Sequence, residues 1–176
     1  LAFLRPNYAK VVADLCKEQG GLPFLTDCNT LYPGSRKNAL EHLTCAQTNG
    51  FWPMTTGCQI LIGDGLRGTD EVEVPVPNGE YCKTAKIGRA IMDADLFISL
   101  THFKGHESTG FGGALKNIGM GCGSRAGKME QHASGHPLVQ EDLCRGCHRC
   151  AKECGSDAIS YNEKNKAVID QDKCKG

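Results

Sequence analysis

QILIGDGLRG, residues 59–68, decides the fold. A short apolar run that stops on Asp64 and a glycine-rich loop reads as a core strand whose carboxyl end opens into a polar turn. LPFLT, residues 22–26, has the same form and runs into the polar stretch DCNT. Helical patterns alternate with these strands. RPNYAKVVADLCKEQGG offers Pro6 as a helix start, Tyr8, Val11, Val12 and Leu15 as an apolar face, and Gly20 and Gly21 as the stop. SRKNALEHLTCAQTNG offers Ser35 as a cap, Ala39, Leu40, Leu43 and Ala46 as an inner face, and Gly50 as the stop.

Further along, EVEVPV alternates Val72, Val74 and Val76, and Asn78-Gly79 beside it is a tight-turn signal, so an edge hairpin is expected. KTAKIGRAIMDAD is then read as a helix interrupted by Gly88, leading to LFISLT, residues 96–101, as a third core strand. This alternation predicts an α/β fold with a mostly parallel sheet flanked by helices. Ligands in such sheets bind beyond the carboxyl ends of the strands. Those ends carry Asp27, Asn29 and Thr30, then Asp64, then Thr101, His102, Lys104 and His106. Any one of them alone reads as a turn cap; their convergence on one edge makes a polar site the expectation.

Composition removes several function classes. Twenty basic residues balance twenty acidic ones, so no overall field favours nucleic acid or an anionic membrane surface. The apolar runs are far shorter than the roughly 18 residues of a membrane span, and a cytoplasmic protein is expected. The chain starts at Leu1 and stops at Gly176 inside a cysteine pattern, and is read as a fragment open at both ends. Of eleven cysteines, five fall in residues 144–176. The other six are scattered singly, which points to a reducing compartment and a metal-bound tail rather than to disulfides. Cys16, Cys45 and Cys82 are expected to be buried or partly buried structural thiols.

Residues 101–138 hold nine of the 22 glycines and four of the six histidines. Such crowding lets backbone N–H groups approach a ligand, and GFGGALKN reads as a loop turning into a helix, with Gly112, Gly113 and Lys116 as an anion cradle. Lys104, Lys116, Arg125 and Lys128 outnumber Glu107 and Glu130 here, which fits an anionic ligand. GCGSRA, residues 121–126, matches a dinucleotide-binding pattern only formally, because no strand precedes it. A phosphate-binding P-loop fails, since Cys122 stands at its first glycine and Met129 follows Lys128. His102 and His106 are four apart, yet Gly105 lies between them, which argues against a zinc-protease helix. A metal held from loops by His102, His106 and Cys122, with His132 or His136, stays open beside backbone-bonded histidines. His132 and His136 also read as part of a solvated linker before Pro137.

CRGCHRCAKEC, residues 144–154, fits the run CxxCxxCxxxC of bacterial two-cluster ferredoxins. In that pattern Cys144, Cys147 and Cys150 take three corners of one [4Fe-4S] cube, while Cys154 serves a second cluster. Zinc prefers two separated CxxC pairs. DAISYNEKNKAVID reads as two short strands around a turn at residues 162–165, and Cys174 as the first ligand of another CxxCxxC run. Gly155 stands where ferredoxins commonly have Pro, which leaves the ligand set unchanged. Two domains are expected: residues 1–137, an α/β domain with a glycine- and histidine-rich ligand loop, and residues 138–176, an incomplete ferredoxin-like α+β module.

LPFLTDCNTLYPGSRKNALEHL, ILIGDGLRG and LTHFKGHESTGFGGALKNIGMGCGSRAGKMEQH, followed by the cysteine run, resemble the domain-of-unknown-function family 362, uncharacterised iron-sulfur centre proteins of bacteria and archaea. The resemblance covers nearly the whole chain. It implies an α/β domain fused to a two-cluster ferredoxin-like tail, with members that begin before Leu1, and implies no reaction. Cys28 stands where similar proteins often have Thr, so no role is assigned to it. The expected function is an iron-sulfur redox protein with two [4Fe-4S] clusters exchanging electrons with a small anionic ligand, whose polar site residues are Asp27, Asp64, His102, Lys104 and His106. Two alternatives are a non-catalytic electron carrier docking on a redox partner protein, and a metal-binding or metal-delivery protein.

Overall fold

The computed structural model describes residues 3–31, 34–107, 109–132, 137–154, 157–171 and 173–174. The chain divides into two compact units, Leu1–Lys128 and Met129–Gly176.

In the first unit, α1 (Pro6–Glu18) begins with Pro at its first turn, where the missing N–H costs nothing. It gives way at Gly20, whose φ of 82° is left-handed. Its buried stripe differs from the expected one: Ala9 and Ala13 face inward, whereas Tyr8, Val11 and Leu15 are exposed. The small side chains allow close approach, and the larger ones lie on the other side of the helix. β1 (Phe24–Asp27) follows, then α2 (Ala39–Thr48), capped not by Ser35 but by Asn38, whose side chain accepts the Glu41 N–H at 3.0 Å. Asn38 wins because it is the residue one step outside the first helical turn, with Glu41 three positions on. Leu40 is exposed, and His42 is the buried residue of this helix.

The short α3 (Pro53–Thr56) leads into β2 (Gln59–Ile62), which pairs in parallel with β1, Phe24 opposite Gln59 and Asp27 opposite Ile62. Both strands thus deliver their polar carboxyl ends to the same edge. β3 (Glu71–Pro75) and β4 (Thr84–Gly88) form the expected hairpin, with Val72, Val74 and Val76 part-buried and Glu73, Pro75 and Pro77 exposed. The connecting loop is closed by the Val76 N–H on the Lys83 carbonyl at 2.8 Å and opens with a turn over Pro77-Asn78, in which the Gly79 N–H donates to the Val76 carbonyl at 2.9 Å.

Two sequence readings fail here. Residues 83–95 do not form one helix: Thr84–Gly88 is the second hairpin arm, because Ala85 and Ile87 lie opposite Val74 and Val72, and only Arg89–Met92 (α4) is helical. Cross-strand pairs of this kind outweigh a marginal helix pattern. Residues 96–101 have strand composition but no ladder partner among the described residues, and Leu96, Phe97 and Ile98 stay exposed.

The fold is broadly α/β, mixed helix and strand. Among the described residues its sheets are four two-stranded ones, of which β1–β2 alone is parallel, so the larger, mostly parallel sheet is not among them. β5 (Lys104–His106) and β6 (Gly110–Gly112) make a second hairpin, followed by α5 (Ala114–Lys116), a π-helical turn (Asn117–Gly121) and α6 (Arg125–His132). The second unit holds α7 (Arg149–Glu153) and the hairpin of β7 (Ile159–Tyr161) with β8 (Ala167–Ile169), whose turn lies where the sequence pattern put it. Among the described residues no helix is long and apolar enough to cross a membrane.

Candidate functional site

At the parallel strand ends the chain passes from β1 through Asp27 to Cys28 and Asn29, and from β2 through Gly63 to Asp64. Asn29 and Asp64 are fully buried. The Asn29 backbone N–H and Nδ2 both donate to Asp64 Oδ1, at 2.9 and 2.8 Å, and Nδ2 also donates to the Gly65 carbonyl at 2.9 Å. These acceptors fix the orientation of the amide. Asn29 Oδ1 and Asp64 Oδ2 then have no hydrogen-bond partner among the described residues.

Asp27 differs from Asp64: it is half exposed, caps the Cys28 N–H at 2.9 Å, and stands 3.7 Å from His42 Nε2 and 3.8 Å from an Arg36 guanidinium nitrogen. Cys28 is buried, and its thiol donates to the Cys122 carbonyl at 3.4 Å. Burial, with a smaller contribution from Asp64, pushes Cys28 up to about 12, so it is a neutral thiol at neutral pH. Lys128, also buried, donates through Nζ to the Gly123 and Gly121 carbonyls, at 2.7 and 3.1 Å.

Burial is likewise the main cause that raises the Asp64 carboxyl above the ordinary carboxylate range, against lowering by the Asn29 N–H and by Lys128. A carboxyl raised on folding contributes most below its unfolded value, and loses that contribution as pH rises through the folded one. Wild type compared with Asp64→Asn by urea unfolding should therefore lose relative stability as pH climbs from the ordinary carboxylate range through the raised value. A difference that stays flat across that window would contradict a burial cost at Asp64.

The β5–β6 hairpin gathers a second group. Lys104 and His106 project from one face of the ribbon, with Gly112 opposite Lys104 and Gly110 opposite His106. Lys116 Nζ contacts His106 Nε2, and the Thr109 N–H donates to His106 Nδ1 at 3.3 Å. Gly112 is buried, and a Cβ placed there would lie 3.8 Å from Lys116 Cδ and 3.9 Å from Lys104 Cε. Gly113 is buried beside it, against Phe103. Lys104, His106, Gly112, Gly113 and Lys116 are thus brought together, while His102 lies exposed before β5 and Asp27 and Asp64 belong to the strand ends. The Lys116 ammonium against the His106 ring, with Lys104 on the same face of the ribbon, makes this a basic spot.

The expected helix after GFGGALKN is short, three α residues and then the π-helical turn, because the glycines before it pair as β6. Among the described residues no group of three or more His, Cys, Asp or Glu side chains is gathered closely enough to hold a metal ion, His102, His106 and Cys122 included. His136 and Gly155 lie outside the described residues.

In the second unit the cysteine loop curls tightly. Gly146 and His148, which separate Cys144, Cys147 and Cys150, are both left-handed, with φ of 62° and 61°. Ala167 N–H donates to Cys144 Sγ and Ala158 N–H to Cys154 Sγ, each at 3.4 Å. The N–H groups of Ala167 and Gly146 hold the Cys144 thiol below its usual range. Cys147 and Cys150 are exposed, and Cys144, Cys154 and Cys174 partly so. The Tyr161 hydroxyl lies 3.4 Å from Cys150 Sγ, and that hydrogen bond is the main cause that pushes the phenol up to about 12.

Sequence reasoning missed His42 and Ser124, and took Lys128 only as one of the basic residues that fit an anionic ligand, not as a buried one. Ser124 Oγ accepts the Gly127 N–H at 3.0 Å, as a cap of α6 does, and also contacts Glu71. The serine three residues before Gly127 was a legible cap signal; nothing local marked the burial of His42 or Lys128. Cys16, Cys45 and Cys82 are partly buried, as expected.

Compared with known protein families, residues 1–157 match the model of the family described as a domain of unknown function (DUF362). No solved structure matches the chain.

Proposed function

The chain belongs to the DUF362 family, and from that footing we propose that it is an iron-sulfur redox protein that exchanges electrons with a small anionic ligand on the basic hairpin. Cys144, Cys147 and Cys150 would hold one [4Fe-4S] cluster, and Cys154 and Cys174 would belong to a second, within a ferredoxin-like module. The observation that carries this reading is the cysteine loop itself. Left-handed residues stand between successive cysteines, at Gly146 and His148, and backbone N–H groups of Ala167 and Ala158 donate to the sulfurs of Cys144 and Cys154. Such donors stabilise thiolate over thiol, the form an iron ligand needs. When bound, the clusters supply one-electron chemistry.

The hairpin residues do the rest. Lys104 and Lys116 attract and orient a carboxylate or phosphate, the Gly112 face leaves room for it, and the His106 imidazole beside Lys116 moves a proton to or from the bound anion. His102, exposed just before the hairpin, is a second proton carrier. Titration of inorganic phosphate into the full-length protein tests this half of the reading. Lys116→Gln is expected to weaken binding about tenfold, since a charged hydrogen bond is lost, with the cluster spectrum unchanged. Equal affinity in both proteins would remove the hairpin from the ligand site.

A further inference from the structure

Tyr161 ends β7 and lies far enough along the chain from Cys150 that only the fold brings them together. Its hydroxyl is 3.4 Å from Cys150 Sγ. The ring is clamped: it stacks on His148, with centroids 3.9 Å apart and planes at 26°. His148 is itself fixed, because its left-handed backbone begins α7 and its Nε2 lies 2.9 Å from Asn165 Oδ1. Asn165, at φ 57° in the β7–β8 turn, donates through Nδ2 to the Gly146 carbonyl at 3.3 Å. A residue between two cysteines, a hairpin turn and a tyrosine ring therefore lock one another, and the phenol oxygen has a defined place against one sulfur.

We propose that Tyr161 is a positioning residue that sets the reduction potential of the cluster held by Cys144, Cys147 and Cys150, by donating its O–H to the Cys150 thiolate. This rests on the cluster assignment above. A donor on a ligand sulfur draws off charge and stabilises the reduced, more negative state, which raises the potential. One electron enters the cluster from the reductant, and the phenol keeps its proton in both states.

Tyr161→Phe keeps the ring and its stack on His148 and deletes only the oxygen. Full-length wild type and variant, prepared without oxygen, are titrated with dithionite and followed by electron paramagnetic resonance. The variant should hold the same iron and sulfide, yet be reduced at a lower midpoint, by about threefold or more in the one-electron equilibrium constant. Electron-nuclear double resonance after exchange into D2O should show one exchangeable proton coupling fewer. Where the variant assembles less cluster, wild type grown with 3-fluorotyrosine, a stronger phenol donor, is expected to move the midpoint upward, and Tyr161→Phe grown likewise is not. Equal midpoints and equal couplings in iron-replete proteins overturn the Tyr161 assignment while leaving the cluster intact. Wild type without iron overturns both.

Discussion

Full-length protein carrying Cys147→Ser, purified without oxygen, is expected to lose about half its iron, one cluster of two. Cys147 is exposed and sits between the left-handed Gly146 and His148, so a serine of nearly the same size leaves the loop as it is and removes only a sulfur. The loss then reports ligation rather than folding. Cys45→Ser, a partly buried cysteine on α2 outside the loop, is the control and should keep all its iron. Equal iron in wild type and Cys147→Ser would take this cysteine out of the ligand set.

A large effect on stability is expected at Gly88. A Cβ there would come within 2.6 Å of Cys28 Sγ and 2.8 Å of the Gly63 carbonyl carbon and oxygen. The Gly63 contacts are backbone, so no side-chain rotation relieves them. Around this point the Gly88 N–H donates to the Cys122 carbonyl at 3.0 Å and the Ala90 N–H to the Gly63 carbonyl at 3.1 Å, which ties the β3–β4 hairpin to the end of β2. Gly88→Ala must prise these apart. About 3 kcal/mol or more of destabilisation is expected, seen as a lower urea midpoint, a large share of the roughly 5–15 kcal/mol that holds a domain together. A midpoint within about 0.5 kcal/mol of wild type would mean that the two sheets do not meet there.

What was legible in the sequence follows the range of the interactions involved. Pro6 and Gly20 bound α1 by local geometry, and the apolar runs before Asp27 and Asp64 are strands because the chain leaves little else for them to be. Which face of α1 turns inward was not legible, since Ala9 and Ala13 gain their burial only from close approach by a neighbour. The stretch 84–88 shows the same limit. Its residues tolerate a helix, and the valines of β3 decide otherwise. LFISLT errs in the other direction, with β composition and no strand to pair with among the described residues.

At the candidate site the cysteine spacing and the glycine crowding were readable because both are local patterns. The pairing of Lys104, His106 and Lys116 around Gly112 depends on a hairpin that the glycines conceal, since they look like loop. His42 and Lys128 become interesting only through burial against distant residues, which no window along the chain displays.

Iron and acid-labile sulfide counts on the full-length polypeptide, with the resonance spectrum after reduction, test the cluster assignment most directly. About eight irons and as many sulfides per chain, with interacting signals, are expected. Colourless protein, or protein carrying zinc at those cysteines, would contradict it.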